Sequence, residues 1–148
     1  MKHLRLFHAA LALTFSSVAL AADYSTPVAA LRALEAAYER KDVEAAVAAK
    51  DFLFEARAML EAMKGTGSAD EALVKQAAEV LELSFRQELK ERGYPNFVGL
   101  KCTVVQQKSL RDGLVEMLEK CVYPDQRTST EKVHAARSAT GWRIVTLP

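Results

Sequence analysis

Three observations predict an α+β fold, with N-terminal helices packed on an antiparallel β-sheet. Apolar residues recur at three- and four-residue spacing before Tyr94, and at two-residue spacing after Pro95. Two short turn signals, Leu110-Arg111-Asp112-Gly113 and Ser138-Ala139-Thr140-Gly141, join consecutive strands into a meander. Half of the 148 residues are hydrophobic, enough for one core and too many for a disordered chain.

The chain opens with Lys2, His3 and Arg5, followed by an apolar run from Leu6 to Leu20 and the small-residue site Ala19-Leu20-Ala21. That order predicts a secretory signal peptide over residues 1–21 and a single mature domain over residues 22–148. The run is shorter than the ~20 apolar residues of a spanning helix, so no stable membrane anchor is expected. The expected address is outside the cytoplasm, which is the periplasm in a Gram-negative cell. Loss of Lys2 and Arg5 with the leader takes the formal net charge from +1 to −1. A near-neutral domain without a basic run offers no footprint for nucleic acid.

Ser25-Thr26-Pro27 predicts a helix start: a hydroxyl for the free amides, then proline at an early helical position. Val28, Leu31, Leu34 and Tyr38 make one apolar stripe, broken at Arg40-Lys41-Asp42. A second helical stretch starts at Asp42 with Val43, Ala46 and Val47. It continues, or bends, through Phe52, Ala56, Met59, Leu60 and Met63 to Gly65-Thr66-Gly67. Ser68-Ala69-Asp70-Glu71 reads as a capping box. The helix it opens is expected to bury Leu73, Ala77, Val80, Leu81, Ser84 and Phe85. Glu71 with Lys75, Glu82 with Arg86 and Glu88 with Arg92 form its solvated face. Gly93-Tyr94-Pro95 closes it.

Strands are expected over Phe97–Lys108, Leu114–Tyr123, Thr130–Arg137 and Trp142–Leu147. On the first, Val98, Leu100, Cys102 and Val104 share a face, with Lys101, Thr103 and Gln107 on the other. Gly113 supplies a positive φ at the first hairpin. Folding between Arg111 and Asp112 pairs residues whose numbers sum to 223, which sets Cys102 opposite Cys121. Such neighbours have Cβ atoms ~5 Å apart, within adjustment of a disulfide. An even cysteine count in an exported chain favours the same pairing. The alternatives are two buried free thiols, or a register shifted by one at a bulge near Gly113.

Two motifs carry a family resemblance. Tyr38-x-x-Lys41-Asp42-x-x-Ala45-Ala46 resembles a first helix ending at a charged break before an alanine-rich second helix. Gly141-Trp142-Arg143-Ile144-Val145 is similar to the final strand of many nuclear transport factor 2-like (cystatin-like) proteins. The resemblance covers nearly all of the mature chain and implies a cone, with a curved antiparallel sheet wrapped around the first helix. The helix after Ser68 is longer than the simplest members need. Arg40-Lys41-Asp42, Lys50-Asp51-Phe52 and Glu55-Ala56 look most like the branch of immunity proteins that neutralise bacterial toxins. Members often pair through the sheet, so the resemblance also implies a homodimer. The superfamily holds enzymes, ligand binders and protein-binding modules, so fold alone does not select a function.

Candidate polar groups for a cavity between helices and sheet are few. Glu119 alternates with Val115, Met117, Cys121 and Tyr123 and is expected to face inward, where burial would raise its pKa. The alternative is an edge position in water. Tyr38 and Tyr123 could offer phenols to the same cavity, or serve as core residues with one polar tip. His134 is the single histidine of the mature chain, in phase with Lys132 and Ala136; its ordinary role is structural. No zinc spacing, phosphate loop or hydrolase nucleophile motif is present, and no metal or cofactor is called for. The expected function is a non-enzymatic binding protein, in its most concrete form an immunity protein that blocks a toxin or other protein partner. The alternative is a binder of a small apolar ligand between helices and sheet. An isomerase- or hydrolase-like enzyme using Glu119 and His134 comes third.

Overall fold

The computed structural model describes residues 21–64 and 69–148. The signal-peptide reading over residues 1–21 falls almost wholly outside them, as do Gly65-Thr66-Gly67 and Ser68. Among the described residues, no helix is long and apolar enough to cross a membrane.

Helix α1 spans Pro27–Arg40, and the Thr26 hydroxyl accepts from the Ala29 N–H at 3.0 Å. It ends where Lys41 turns left-handed, φ 55°. The Asp42 carboxylate then caps α2, Val43–Ala48. The choice between a continuous and a bent second helix resolves as a break. Residues 49–51 leave the helix, Lys50 bridges to Ile144, and the Asp51 carboxylate accepts from the Phe54 N–H to open α3, Phe52–Lys64. Helix α4 spans Glu71–Arg92. Its cap is Asp70, whose carboxylate accepts from the Ala72 and Leu73 N–H groups, so the helix opens two residues beyond the expected Ser68 cap.

The buried stripe of α4 matches the expected one in part: Ala77, Leu81 and Phe85 pack half-buried against the core, but the rest is shifted. Val74, Ala78 and Leu89 are buried, whereas Leu73 and Val80 are 39% and 63% exposed and Ser84 is exposed. Alanine and leucine occupy both candidate stripes, so periodicity alone did not separate them; the packing of α3 against α4 did. The Glu71 carboxylate binds Arg57 of α3 at 2.8 Å instead of Lys75, because the hairpin brings a forked guanidinium within reach. The pairs Glu82–Arg86 and Glu88–Arg92 form as expected. Met63 is 77% exposed and is no part of the α3 core.

The sheet is an antiparallel meander in the order β1-β2-β3-β4: Lys101–Arg111, Leu114–Val122, Thr128–Ser138 and Gly141–Val145. Residues 97–100 are a turn and not strand, closed by the Leu100 N–H donating to the Phe97 carbonyl at 3.0 Å, with Gly99 at φ 77°. The hairpin loop is Asp112-Gly113, with Gly113 at φ 71°. Its closing pair, Arg111 and Leu114, is two out of step with the expected register. Irregularities between Ser109 and Arg111 and between Val104 and Gln106 each restore one step, so Cys102 does face Cys121. The two sulfurs are bonded. The same irregularity moves Gln107 opposite Met117, onto the face of Cys102 and Val104, contrary to simple alternation.

Helix α1 packs on one face of this sheet, in the α+β layout that the change of period predicts. Ala30, Leu31, Leu34 and Ala37 of α1 lie against Val115, Met117, Ala135 and Ile144. Alanines at two of the four α1 positions let the helix sit close to the strands. Burying each larger side chain contributes roughly 1.5–3 kcal/mol. The α3–α4 hairpin has its own small cluster of Phe52, Ala56, Ala69, Val74 and Ala78. Phe54 and Leu147 cover the opposite face of the sheet, over Leu114, Ala136 and Val145.

Candidate functional site

Between α1, the 95–100 segment and the inner faces of β2 to β4 lies a cavity of about 640 Å³. Leu31, Leu34, Leu100 and Ile144 form apolar wall, and Tyr38, Phe97 and Tyr123 add aromatic surface. Glu35 and Glu119 both line it and are 9% and 6% exposed. This size and mixture suit a small molecule held by apolar walls and a few polar groups.

Alternation along β2 puts Glu119 on the same side as Val115, Met117 and Cys121. Glu35 comes from α1, where Leu31, Leu34, Glu35 and Tyr38 share one helical face. Arg32, one turn before Glu35, binds both acids through a single nitrogen. Its Nη1 donates to Glu35 Oε2 at 2.5 Å and to Glu119 Oε1 at 2.6 Å, and its Nη2 donates to the Cys102 carbonyl at 3.3 Å. One guanidinium thus serves two buried carboxylates, and Glu35 Oε1 receives no hydrogen bond from any described group. Burial pushes the Glu35 carboxyl up to about 7; the Arg32 bond holds it down, and the charge of Glu119 adds to the rise. Glu35 is therefore a buried acid that exchanges a proton near neutral pH.

Tyr38 lines the same cavity and packs against Tyr94 and Phe97. Burial pushes its phenol up to about 12, with Glu88 and Glu55 adding to the shift, so it stays a neutral hydrogen-bonding group. Tyr123 also borders the cavity, with Arg127 over its ring at 5.4 Å. His134 stands apart from these three. It borders the cavity but pairs across the sheet with Glu116 and Val145, on the face opposite Glu119. Its Nε2 lies 3.4 Å from Glu116 Oε2, so its ring is held on the far side from the carboxylate pair.

Sequence reasoning missed Arg32, Glu35, Lys50 and Glu55 as members of the buried polar set. A signal for Glu35 existed: it sits four residues after Leu31 and three before Tyr38, inside the apolar stripe. Glu55 is 7% exposed and accepts from Lys50 Nζ and from the Thr146 N–H, both at 2.8 Å. Lys50 also lies over the rings of Phe52 and Phe85. Cys102, Cys121 and Glu119 bring one donor atom each within 4.8 Å of one another. The sulfurs are bonded to each other, and a disulfide offers no thiolate to a metal.

A wider cleft of about 950 Å³ lies on the other side of Tyr38, between the ends of α1 and α4 and residues 93–98. Its charged groups are surface ones; Arg86, for example, is bonded to Glu44 and Glu82. The chemistry lies instead in the smaller cavity.

No protein-family model and no curated protein matches this chain. Among solved structures, a Campylobacter jejuni protein described as a candidate NTF2-like transpeptidase is similar over 66% of this chain and 94% of its own. The identity is 11% and the TM-score 0.29, and no activity is inferred from that overlap. Fold and site together define an α+β protein whose helix–sheet cavity carries a buried carboxylate pair.

Proposed function

We propose that the protein is an exported binding protein whose ligand is a small molecule held between α1 and the sheet. The observation that carries this reading is the cavity itself: about 640 Å³, with aromatic and aliphatic walls and two buried acids in its lining. An acid buried without a full set of partners costs stability, and binding sites are a common reason to retain one. Export is supported by the leader-like first 21 residues and by the Cys102–Cys121 bond, which persists in oxidising compartments.

Native mass spectrometry of the protein captured from its own host tests the reading. The expected result is a bound small molecule in the wild type that is lost in Asn96→Trp, an exposed rim position where the new ring would fill the mouth. A chain that carries no small molecule and binds none from an apolar-ligand panel would refute it.

A second reading, closer to an immunity protein, draws on a different surface. Leu73, Val80 and Leu83 of α4 are 39%, 63% and 66% exposed, on the side of the helix turned from its core. Exposed apolar groups grouped in this way suit a protein partner. A stoichiometric second protein in the same spectrum, released by Val80→Asp and unaffected by Asn96→Trp, would favour this reading over the first.

A further inference from the structure

The cavity also carries information about the kind of ligand it takes. Glu35 and Glu119 come from different elements, yet both bond Arg32 Nη1, so the two carboxyls face each other across one atom. Two negative charges sharing one guanidinium repel each other, which favours a proton on one of them. A proton on Glu35 restores neutrality. The Glu35 Oε1 that lacks a donor is the oxygen left to carry it. The other charged or titratable groups lining the cavity, besides the phenols of Tyr38 and Tyr123, are Lys50, Glu131, Lys132 and His134, the last beside Glu116 at 3.4 Å on the opposite face. Lys50 is matched by Glu55, and Lys132 turns to Glu116 at 3.5 Å, while Glu131 is exposed. None of them supplies the missing positive charge. The remaining lining is aliphatic and aromatic, and aromatic faces also attract cations.

We infer that the cavity takes a ligand with an apolar body and a protonated amine, and that the ammonium takes the place of the proton held by Glu35 beside Glu119. The step is an exchange in which no covalent bond to carbon changes. The ammonium N–H groups donate to the two carboxylates, and the displaced proton leaves to solvent. Arg32 stays in position and holds both acids for the incoming head group. Binding is therefore proton-coupled. Because the Glu35 carboxyl is pushed up to about 7, roughly half a proton should be released per amine bound at pH 7, falling toward zero above about pH 8.5. Affinity for the amine should rise over the same interval.

This inference rests on the cavity being a ligand site, and its test separates the two. Isothermal titration calorimetry on the disulfide-bonded protein would compare phenylbutylamine, phenylbutanol and phenylbutyrate, which share one apolar body and differ in head-group charge. The expected order is amine, then alcohol roughly tenfold or more weaker, then carboxylate without measurable binding. Repeating the amine titration in buffers of different ionisation enthalpy reads the released proton. Glu35→Gln should lower the amine to the level at which the same variant binds the alcohol and abolish proton release. Glu119→Gln should do the same, and near-ultraviolet circular dichroism checks that both variants are folded. Equal binding of all three probes would overturn the amine inference and leave the cavity reading standing. No binding by any probe would overturn both. An amine preference that survives both substitutions would overturn the assignment to this carboxyl pair.

Discussion

At the β4 edge, Glu55 is enclosed by donors: Lys50 and the Thr146 N–H both reach it, and two aromatic rings flank the lysine. In the cavity lining, Glu35 is enclosed by a second acid and half of one guanidinium, and one of its oxygens has no donor. Both acids are buried to a similar extent, so burial does not distinguish them. Partners do. The Glu55 arrangement ties the start of α3 to the end of β4 and leaves nothing for a ligand to add. The Glu35 arrangement is incomplete as protein and is completed by a proton or a cation. One region uses a buried charge to fix geometry; the other keeps the charge available.

The comparison breaks most directly at Glu55. Glu55→Ala leaves Lys50 buried without its counter-charge and the Thr146 N–H without an acceptor. The expected loss is about 3–5 kcal/mol in urea unfolding. A loss below about 1 kcal/mol would show that the β4-edge pair is dispensable and the contrast unfounded.

The next largest effect concerns the cavity side. Joint replacement Cys102→Ser and Cys121→Ser removes a bond spanning 19 residues and should cost about 3 kcal/mol. It also loosens the strand whose Cys102 carbonyl accepts from Arg32. An unchanged melting temperature would mean that the hairpin register stands without the bond.

The smallest change has the opposite sign, which sharpens the comparison. The Glu35 carboxyl sits at about 7 in the folded chain against an ordinary 4.5. The stability gained from its bound proton is therefore complete below the ordinary value and is lost as pH rises through 7. Glu35→Gln should stabilise the unliganded protein at pH 8, on the order of 2 kcal/mol, and have little effect at pH 5. Parallel melting curves for wild type and variant across that range would place Glu35 with Glu55 and remove the distinction.

Much of the fold was legible in the chain because it rests on local rules. Thr26 before Pro27 marks a helix start, Asp112-Gly113 marks a tight hairpin, and alternation along residues 114–122 marks a strand with Glu119 facing in. The cysteine pairing was legible for a less direct reason. The expected turn was one residue out and its pairing two out of step, and two β1 irregularities corrected it before Cys102 was reached. Bulges depend on how β1 twists against β2, and no pattern in Val104-Val105-Gln106 announces one. The α4 stripe held at Ala77, Leu81 and Phe85 and failed at Leu73, Val80 and Ser84 for a related reason: a second apolar stripe was available, and the position of α3 chose between them.

The site divides along the same line. By itself the sequence determined most of the elements and which residues of the second strand share a face with Glu119, because these follow from backbone period and side-chain polarity; whether that face was buried or at an edge in water it left open. Only the tertiary structure decided that Arg32 reaches across to Glu119, that Glu35 joins them from the helix, and that His134 lies on the other face with Glu116. Those contacts link residues up to 87 positions apart in the chain. Their energies depend on burial and on the count of donors against acceptors in one enclosed space, quantities that exist only once helix and sheet have met.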